Sequence, residues 1–110
     1  MMSKFQKEKE IIQAAIMQAA QAAKNLVDEN PNVWYPCGMA GIKIKPARGR
    51  FVSALKELEL GWTSEEGGYV VSNPSMACTQ WMPAQELGAE VFADLLKEHG
   101  VGCRVYTRID

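Results

Sequence analysis

Four cationic side chains fall within eight residues of the segment GIKIKPARGRF, which spans residues 41–51. They are Lys43, Lys45, Arg48 and Arg50, and no acidic residue lies among them. Ammonium and guanidinium groups form charge-assisted hydrogen bonds with phosphate oxygens, so the segment predicts a site for an anion, a nucleotide or a nucleic-acid backbone. The alternative interpretation is a half-exposed strand whose lysines point to solvent and protect a sheet edge from aggregation.

The last ten residues, VGCRVYTRID, carry further cations in a strand-like pattern. Apolar side chains alternate there with Arg104, Tyr106 and Arg108, as in a strand with one buried face. If this strand lies beside the one that carries Lys43 and Lys45, the five side chains share one face of a sheet. The two segments together therefore predict a cationic patch with one aromatic ring.

The composition favours a different partner from nucleic acid. The formal net charge is −1 and the sequence pI is about 5.8, whereas nucleic-acid-binding domains are commonly basic. Aromatic residues at segment borders suit a core rim or a subunit interface better than base stacking. These aromatic residues are Trp34, Tyr35, Trp62, Tyr69 and Trp81. Nucleotide sequestration and weak nucleic-acid binding therefore stand as alternatives to a protein partner.

Catalysis and metal binding find little support in the sequence. The three cysteines, Cys37, Cys78 and Cys103, are widely spaced without a CxxC pair, and His99 is the single histidine. Cys37 with His99 as its base is the one nucleophile pair to consider, and nothing in the sequence brings the two together. We therefore predict a protein without catalytic activity, cofactor or metal, with a Cys37-based reaction as the alternative.

The candidate side chains are distributed over six predicted elements that follow a long first helix. Apolar periodicity predicts an alanine-rich amphipathic helix over residues 3–29, which Asn30-Pro31 ends. Alternation and helical spacing then predict a strand, a helix, a β-hairpin, a second helix beginning near Pro83 and capped by Gly100, and a last strand. The first strand is predicted over residues 38–45 and the helix after it over 47–59. The hairpin is predicted as two short strands around 65–68, the second helix over 83–99 and the last strand over 101–110.

This order predicts an α+β fold of the ferredoxin-like (split βαβ) type, a two-layer sandwich preceded by the N-terminal helix. Residues 37–110 would form the β-α-β-β-α-β domain, and residues 1–30 a helix available for oligomerisation. Right-handed crossovers would place the last strand beside the first at the middle of the sheet. Both helices would then cover one face, leaving the other open unless the first helix or a second subunit covers it. Since the alanine-rich helix has more apolar surface than so small a sheet needs, we predict a homodimer.

Targeting features are missing from the sequence. The chain has no run of about 18 apolar residues and no apolar core of a signal peptide after its charged first residues. We therefore expect a cytoplasmic protein with no membrane partner.

Several short motifs resemble a group of small uncharacterised proteins encoded by tailed bacteriophages. The resemblance covers residues 37–110, and the N-terminal helix lies outside it. The motifs are Cys37-Gly38, the KPARG of Lys45 to Gly49, Asn73-Pro74, Thr79-Gln80 with Met82, Gly88-Ala89 with Phe92-Ala93 and Leu96, and Thr107-Arg108 with Asp110. The sequence departs from the pattern at MAGIKI, where aromatic residues are expected, and at Pro83, where an acidic helix cap is expected.

The resemblance implies a context rather than an activity: an accessory protein acting in the bacterial host cytoplasm. It also draws attention to Arg48, Asn73, Gln80, Arg108 and Asp110 as polar positions within the motifs, which would form one cluster or cap turns. The sequence thus predicts a binding protein that acts on a host component, such as a defence or transcription protein. The alternative is an anion, nucleotide or weak nucleic-acid binder that uses the basic sheet face.

Overall fold

The computed structural model describes residues 4–30, 38–74 and 82–109, and of Arg108 and Ile109 the backbone alone. Three helices and four strands make up this part of the chain, a mixed α+β architecture. In chain order they are α1 (Gln6–Glu29), β1 (Gly38–Ile44), α2 (Arg50–Glu57), β2 (Trp62–Thr63), β3 (Tyr69–Ser72), α3 (Met82–Glu98) and β4 (Cys103–Ile109). None of these helices combines the length and apolar character that a membrane span needs.

The four strands form one antiparallel sheet in the order β2-β3-β1-β4. β1 pairs with β4 from Gly38↔Ile109 to Ile44↔Cys103, and with β3 from Gly41↔Ser72 to Ile44↔Tyr69. The predicted pairing of the first and last strands is confirmed. The prediction that this pair lies at the middle of the sheet holds for β1 alone, because β3 occupies its other side and β4 forms an edge.

Local backbone bonds explain where α2 ends. Glu59 adopts a left-handed φ of 59°, Leu60 N–H donates to Leu55 O, and Glu59 N–H donates to Lys56 O. This pattern is a Schellman motif, in which a residue past the helix end satisfies carbonyls that the helix leaves free. The start also differs from the prediction: Gly49, with φ 114°, precedes the helix, so residues 47–49 belong to the connection from β1.

The helix α3 ends in the same way, with Gly100 in the left-handed position. Gly100 N–H donates to Lys97 O and Val101 N–H donates to Leu96 O. The predicted C-terminal cap at Gly100 is therefore confirmed. The other end of α3 is tied to the sheet, since Gln85 Oε1 accepts a hydrogen bond from Ala40 N–H at 3.2 Å.

The helix α1 packs chiefly on α3 and also on α2. Its small buried face consists of Ile12, Ala15, Ala19 and Ala23, each at most 1% exposed. Alanine lets the two helix axes approach closely, and this stripe enters the same core as Ile42, Leu55 and Phe92. The alanine face of α1 is thus covered by α3 within one chain, and homodimerisation through another part of this helix stays a prediction.

The sheet presents its core face to the helices. Ala40, Ile42 and Ile44 of β1 are at most 2% exposed and belong to the main hydrophobic cluster. Tyr69 and Val71, their partners on β3, are buried with them. Because successive side chains of a strand point to opposite faces, the residues between them lie on the opposite side of the sheet.

Candidate functional site

The side of the sheet that faces away from the core is called here the open face. The register assigns to it the following positions: Trp62 of β2, Val70 and Ser72 of β3, Met39, Gly41 and Lys43 of β1, and Arg104, Tyr106 and Arg108 of β4. Two large apolar side chains are exposed there, Trp62 at 53% and Met39 at 38%. Trp62 therefore lies on a sheet surface rather than at a core rim, and the subunit interface, the other role predicted for it, stays a prediction.

Tyr106 lies across the neighbouring strand rather than upright on its own. A Cβ atom added to Gly41 would come within 2.7 Å of Tyr106 Oη and 2.8 Å of Tyr106 Cε1, and would also collide with Val71 O. The ring therefore occupies the space that a side chain at position 41 would fill. Tyr106 is half-buried, so part of it faces solvent. Only glycine at position 41 permits this placement.

Two cations lie directly beside this ring. Lys43 and Arg104 are partners in the β1–β4 register, two positions along from the Gly41↔Tyr106 pair. Lys43 is half-buried and Arg104 is exposed, and neither strand residue has an acidic neighbour within the sheet, because the four strands contain no Asp or Glu. The predicted sharing of one face by Lys43, Arg104 and Tyr106 is supported by this register, and Arg108 follows them through its backbone pairing with Met39.

Lys45 continues the cationic series beyond the end of β1. A Cβ atom added to Gly68, which has φ 87°, would lie 3.1 Å from both Lys43 Cε and Lys45 Cγ. The two lysine side chains thus pass the same glycine of the β2–β3 hairpin. Lys45 N–H also donates to Gly102 O at 3.1 Å, which holds the start of the β1–α2 connection against the start of β4.

The two arginines of the opening segment lie elsewhere, around a cavity of about 210 Å³ next to the first turn of α2. We call this the end cavity. Its lining includes Lys45, Arg48 and Arg50 around the start of α2 and His99, Gly100 and Gly102 between α3 and β4, with no acidic residue among the lining side chains. The predicted anion site is therefore divided in two: an open face with Lys43, Arg104 and Tyr106, and an end cavity with Arg48 and Arg50. Lys45 adjoins both.

Arg50 is held by an acidic residue that sequence reasoning missed. Its Nε–H donates to Glu8 Oε1, and its Nη2 donates to Lys4 O at 2.8 Å. The hydrogen bond from Arg50 lowers the pKa of the Glu8 carboxyl below its usual value, against burial, which raises it. Glu8 is buried, and it lies four residues before Ile12 on the buried stripe of α1. A carboxylate four residues before a buried apolar residue of the same helix face indicates a buried ion pair, and this is the sequence feature that could have predicted it.

The predicted polar cluster is only partly within the described residues. Gln80, Asp110 and the Arg108 side chain lie outside them. Asn73 has a left-handed φ of 45°, and its N–H donates to Ala40 O at 2.8 Å, which extends the β1–β3 pairing by one bond. This bond uses the backbone of Asn73, and the role of its side chain stays a prediction.

Of the Cys37–His99 pair considered for catalysis, the structure describes His99 alone. Cys37 lies outside the described residues, so its relation to His99 stays a prediction; His99 contacts the Phe51 ring, with centroids 6.0 Å apart. Cys103 Sγ lies 3.6 Å from Ala93 O, and burial raises the pKa of its thiol. In the three described ranges, no group of three or more His, Cys, Asp and Glu side chains could hold a metal ion.

The open face combines a tyrosine ring across the sheet, an exposed tryptophan and two cations without an acidic strand residue. Such a surface can stack on a planar group and neutralise negative charge beside it. The end cavity adds guanidinium donors for an anion. Comparisons of the chain with protein-family models, with curated proteins and with solved structures find no match.

Proposed function

We propose that this protein is a non-enzymatic binder of single-stranded nucleic acid, which it takes up on the open face of its sheet. The observation that carries the proposal is the Tyr106 ring across Gly41 beside the Lys43–Arg104 pair. Base stacking on aromatic rings contributes about 1–3 kcal/mol per base and tolerates any sequence, while the cations neutralise the backbone. The net charge of −1 is no obstacle, since the strands themselves carry only cations.

The flatness of the surface favours a single strand over a duplex. Duplex readers insert a helix or a two-stranded ribbon into a groove. The open face instead offers the Tyr106 ring across Gly41 and the exposed Trp62 ring, which reach only bases that are unpaired and free to stack. A protein that reads shape and charge in this way has little sequence preference and a strong dependence on salt.

The test is fluorescence anisotropy with labelled oligonucleotides of about eight residues, a length within the usual site size. We expect binding at about 50 mM salt that weakens as salt is added. Tyr106→Leu keeps bulk over Gly41 without the aromatic ring, and its affinity falls by roughly tenfold, whereas Tyr106→Phe keeps most of it. Lys43→Ala/Arg104→Ala lowers the slope of log K against log salt by about 1.4, that is about 0.7 for each lost contact.

Lys24→Ala is the matched control, because Lys24 is an exposed cation on α1 and away from the strands. Its affinity and salt slope should equal those of the unaltered protein. Absence of binding to any single-stranded DNA or RNA at about 100 μM protein, the weak end of non-specific affinities, would contradict the proposal. An acidic protein partner would then be the better interpretation of the same face.

A second candidate function, as a phage accessory protein that binds a host protein in the bacterial cytoplasm, rests on a different surface. An apolar groove of about 490 Å³ lies between α1 and the residues that follow α2, lined by Gln13, Ile16, Met17, Leu58 and Leu60. Met17 is 73% exposed. Exposed apolar grooves of this kind suit protein partners, either a host component or a second copy of the chain. The strand order β2-β3-β1-β4 also supports the ferredoxin-like fold that accompanies this interpretation.

Light scattering separates these partners. A homodimer through the groove predicts a dimeric mass that Met17→Glu converts to a monomer, with Gln18→Glu, an exposed neighbour on α1, as the control. A monomeric mass at all concentrations would leave the groove to a host protein. Retention of a captured host protein by Met17→Glu would then contradict this second function.

A further inference from the structure

We propose that the end cavity receives a terminal phosphate of the strand bound on the open face, so that the protein prefers nucleic acid with a phosphorylated end. The inference rests on the proposed function, and it concerns Arg48 and Arg50, which that function leaves unused. Three observations carry it: the line of cations that leads to the cavity, the charge of the cavity walls and the way Arg50 is fixed.

The cations follow β1 in regular steps away from the stacking ring. Gly41 lies under Tyr106, Lys43 follows two residues later beside Arg104, and Lys45 follows two residues after that. Two residues of a strand advance about 7 Å. Lys43 and Lys45 pass the same Gly68, and Lys45 also lines the end cavity. A backbone whose base stacks on Tyr106 therefore meets Lys43 and Arg104, then Lys45, and then the cavity.

The walls of the end cavity suit a dianion better than a phosphodiester. Lys45, Arg48 and Arg50 line it without an acidic side chain; because Glu8 balances the charge of Arg50, Lys45 and Arg48 supply the net positive charge. A terminal phosphate monoester carries a charge of about −1.5 to −2 at neutral pH, against −1 for a diester inside the chain. Arg48 is exposed and has no carboxylate partner among the described residues, so its donors are free for an anion.

Arg50 is positioned in advance for such a ligand. Glu8 and the carbonyl of Lys4 hold its Nε and Nη2 groups, which leaves the rest of its five donors for a ligand. A guanidinium whose rotamer is already fixed loses less conformational entropy on binding. His99, Gly100 and Gly102 complete the lining of the cavity, and none of them carries a negative charge.

The experiment compares one oligonucleotide in three forms: with a 5′-phosphate, with a 3′-phosphate, and with hydroxyl groups at both ends. We expect one phosphorylated form to bind about three- to tenfold more tightly than the unphosphorylated form, the range of one typical net hydrogen bond at a solvent-exposed site. Arg48→Ala removes this preference, so that the three forms bind to the variant with equal affinity. Arg48→Lys retains part of the preference, and Lys24→Ala retains all of it.

Equal affinity for all three forms would overturn the inference and leave the proposed function standing. A preference that persists in Arg48→Ala would also overturn it, because the phosphate would then bind elsewhere. If no form binds, both the inference and the proposed function fail. Circular dichroism of each variant checks that Arg48→Ala is folded, as its exposure leads us to expect.

Discussion

Glu8 places a carboxylate on a helix stripe that otherwise consists of isoleucine and alanine. Its Oε1 atom accepts the hydrogen bond from Arg50, while Oε2 is buried without a hydrogen-bond partner among the described residues. The arrangement joins the first turns of α1 and α2, and thereby fixes Arg50 at the end cavity. When one oxygen of a buried carboxylate has no hydrogen-bond partner, the fold tolerates the buried charge only while the paired cation stays in place.

The shifted pKa of Glu8 makes this link dependent on pH. Because the folded pKa lies below the unfolded value of about 4.3, ionised Glu8 stabilises the fold above that value, and the contribution is lost as pH falls through the folded pKa. We expect Glu8→Gln to lower the melting temperature at about pH 7, and the difference from the unaltered protein to be smaller at about pH 3, below the unfolded value. Thermal melts at both pH values measure this.

Glu10→Gln is the control for that experiment, because Glu10 is exposed on the same helix and makes only a 3.4 Å contact with Gln6. Its melting temperature should follow that of the unaltered protein at both pH values. A difference between Glu8→Gln and the unaltered protein that grew as pH fell would contradict the assigned direction of the pKa shift.

Gly41 is the second residue on which the site depends. We expect Gly41→Ala to destabilise the protein by about 1–3 kcal/mol, since the new methyl group collides with Val71 O and with the Tyr106 ring. Urea denaturation measures the change. Gly102→Ala is the matched control, because its Cβ would lie 3.3 Å from Lys45 O and meet no other atom within 4 Å. Tyr106→Ala should not rescue Gly41→Ala fully, since the carbonyl remains; full rescue would show that the ring is the only obstacle.

The limits of the sequence are visible at these residues. Alternation was sufficient to place Lys43, Arg104 and Tyr106 on one face, because the period of a strand is two and the apolar partners define the core side. The position of Tyr106 over Gly41 depends on the register between β1 and β4. The alternation of apolar and polar residues within one strand does not determine that register. Arg50 was expected with the anion site, but its bond to Glu8 joins residues 42 positions apart. No local pattern reports a contact at that separation.

At the scale of elements, α2 and α3 end in the same Schellman motif with different residues. α3 uses Gly100 at the left-handed position, which the sequence signals directly, whereas α2 uses Glu59. A left-handed backbone costs a residue with a Cβ atom roughly 1–2 kcal/mol, part of which returns through the smaller entropy of its unfolded chain. The unusual residue also explains why the predicted helix over residues 47–59 was too long, since nothing in the type of residue 59 marks an end.

Substitution of the residue at each left-handed position tests this explanation. We expect Glu59→Gly to stabilise the protein by about 0.5–1 kcal/mol and Gly100→Ala to destabilise it by about 1 kcal/mol. Urea denaturation of both variants supplies the values. Glu57→Gly, inside the last turn of α2, should instead destabilise the protein, because glycine weakens a helix interior. A destabilised Glu59→Gly would show that the carboxylate of Glu59 matters more than its backbone.

At the scale of the whole molecule, charge is separated between the layers. The chain has 13 acidic and 12 basic side chains, yet none of the acids among the described residues lies in a strand. The helices and connections carry these acids, and the open face carries Lys43 and Arg104. An anion that approaches is therefore attracted by one side of the protein and repelled by the other, which favours productive encounters at low ionic strength.

The position of Lys43 directly opposite Arg104 has a further consequence for the protein without a ligand. Like charges on facing strand positions repel, so the sheet without a ligand contains an electrostatic repulsion that a bound anion relieves. We expect Lys43→Thr to stabilise the free protein by about 0.2–1 kcal/mol in urea at low salt, with a smaller gain at high salt, while it weakens oligonucleotide binding. Lys24→Thr should do neither. Selection for the most stable sheet and selection for the best binder would then choose different residues at position 43.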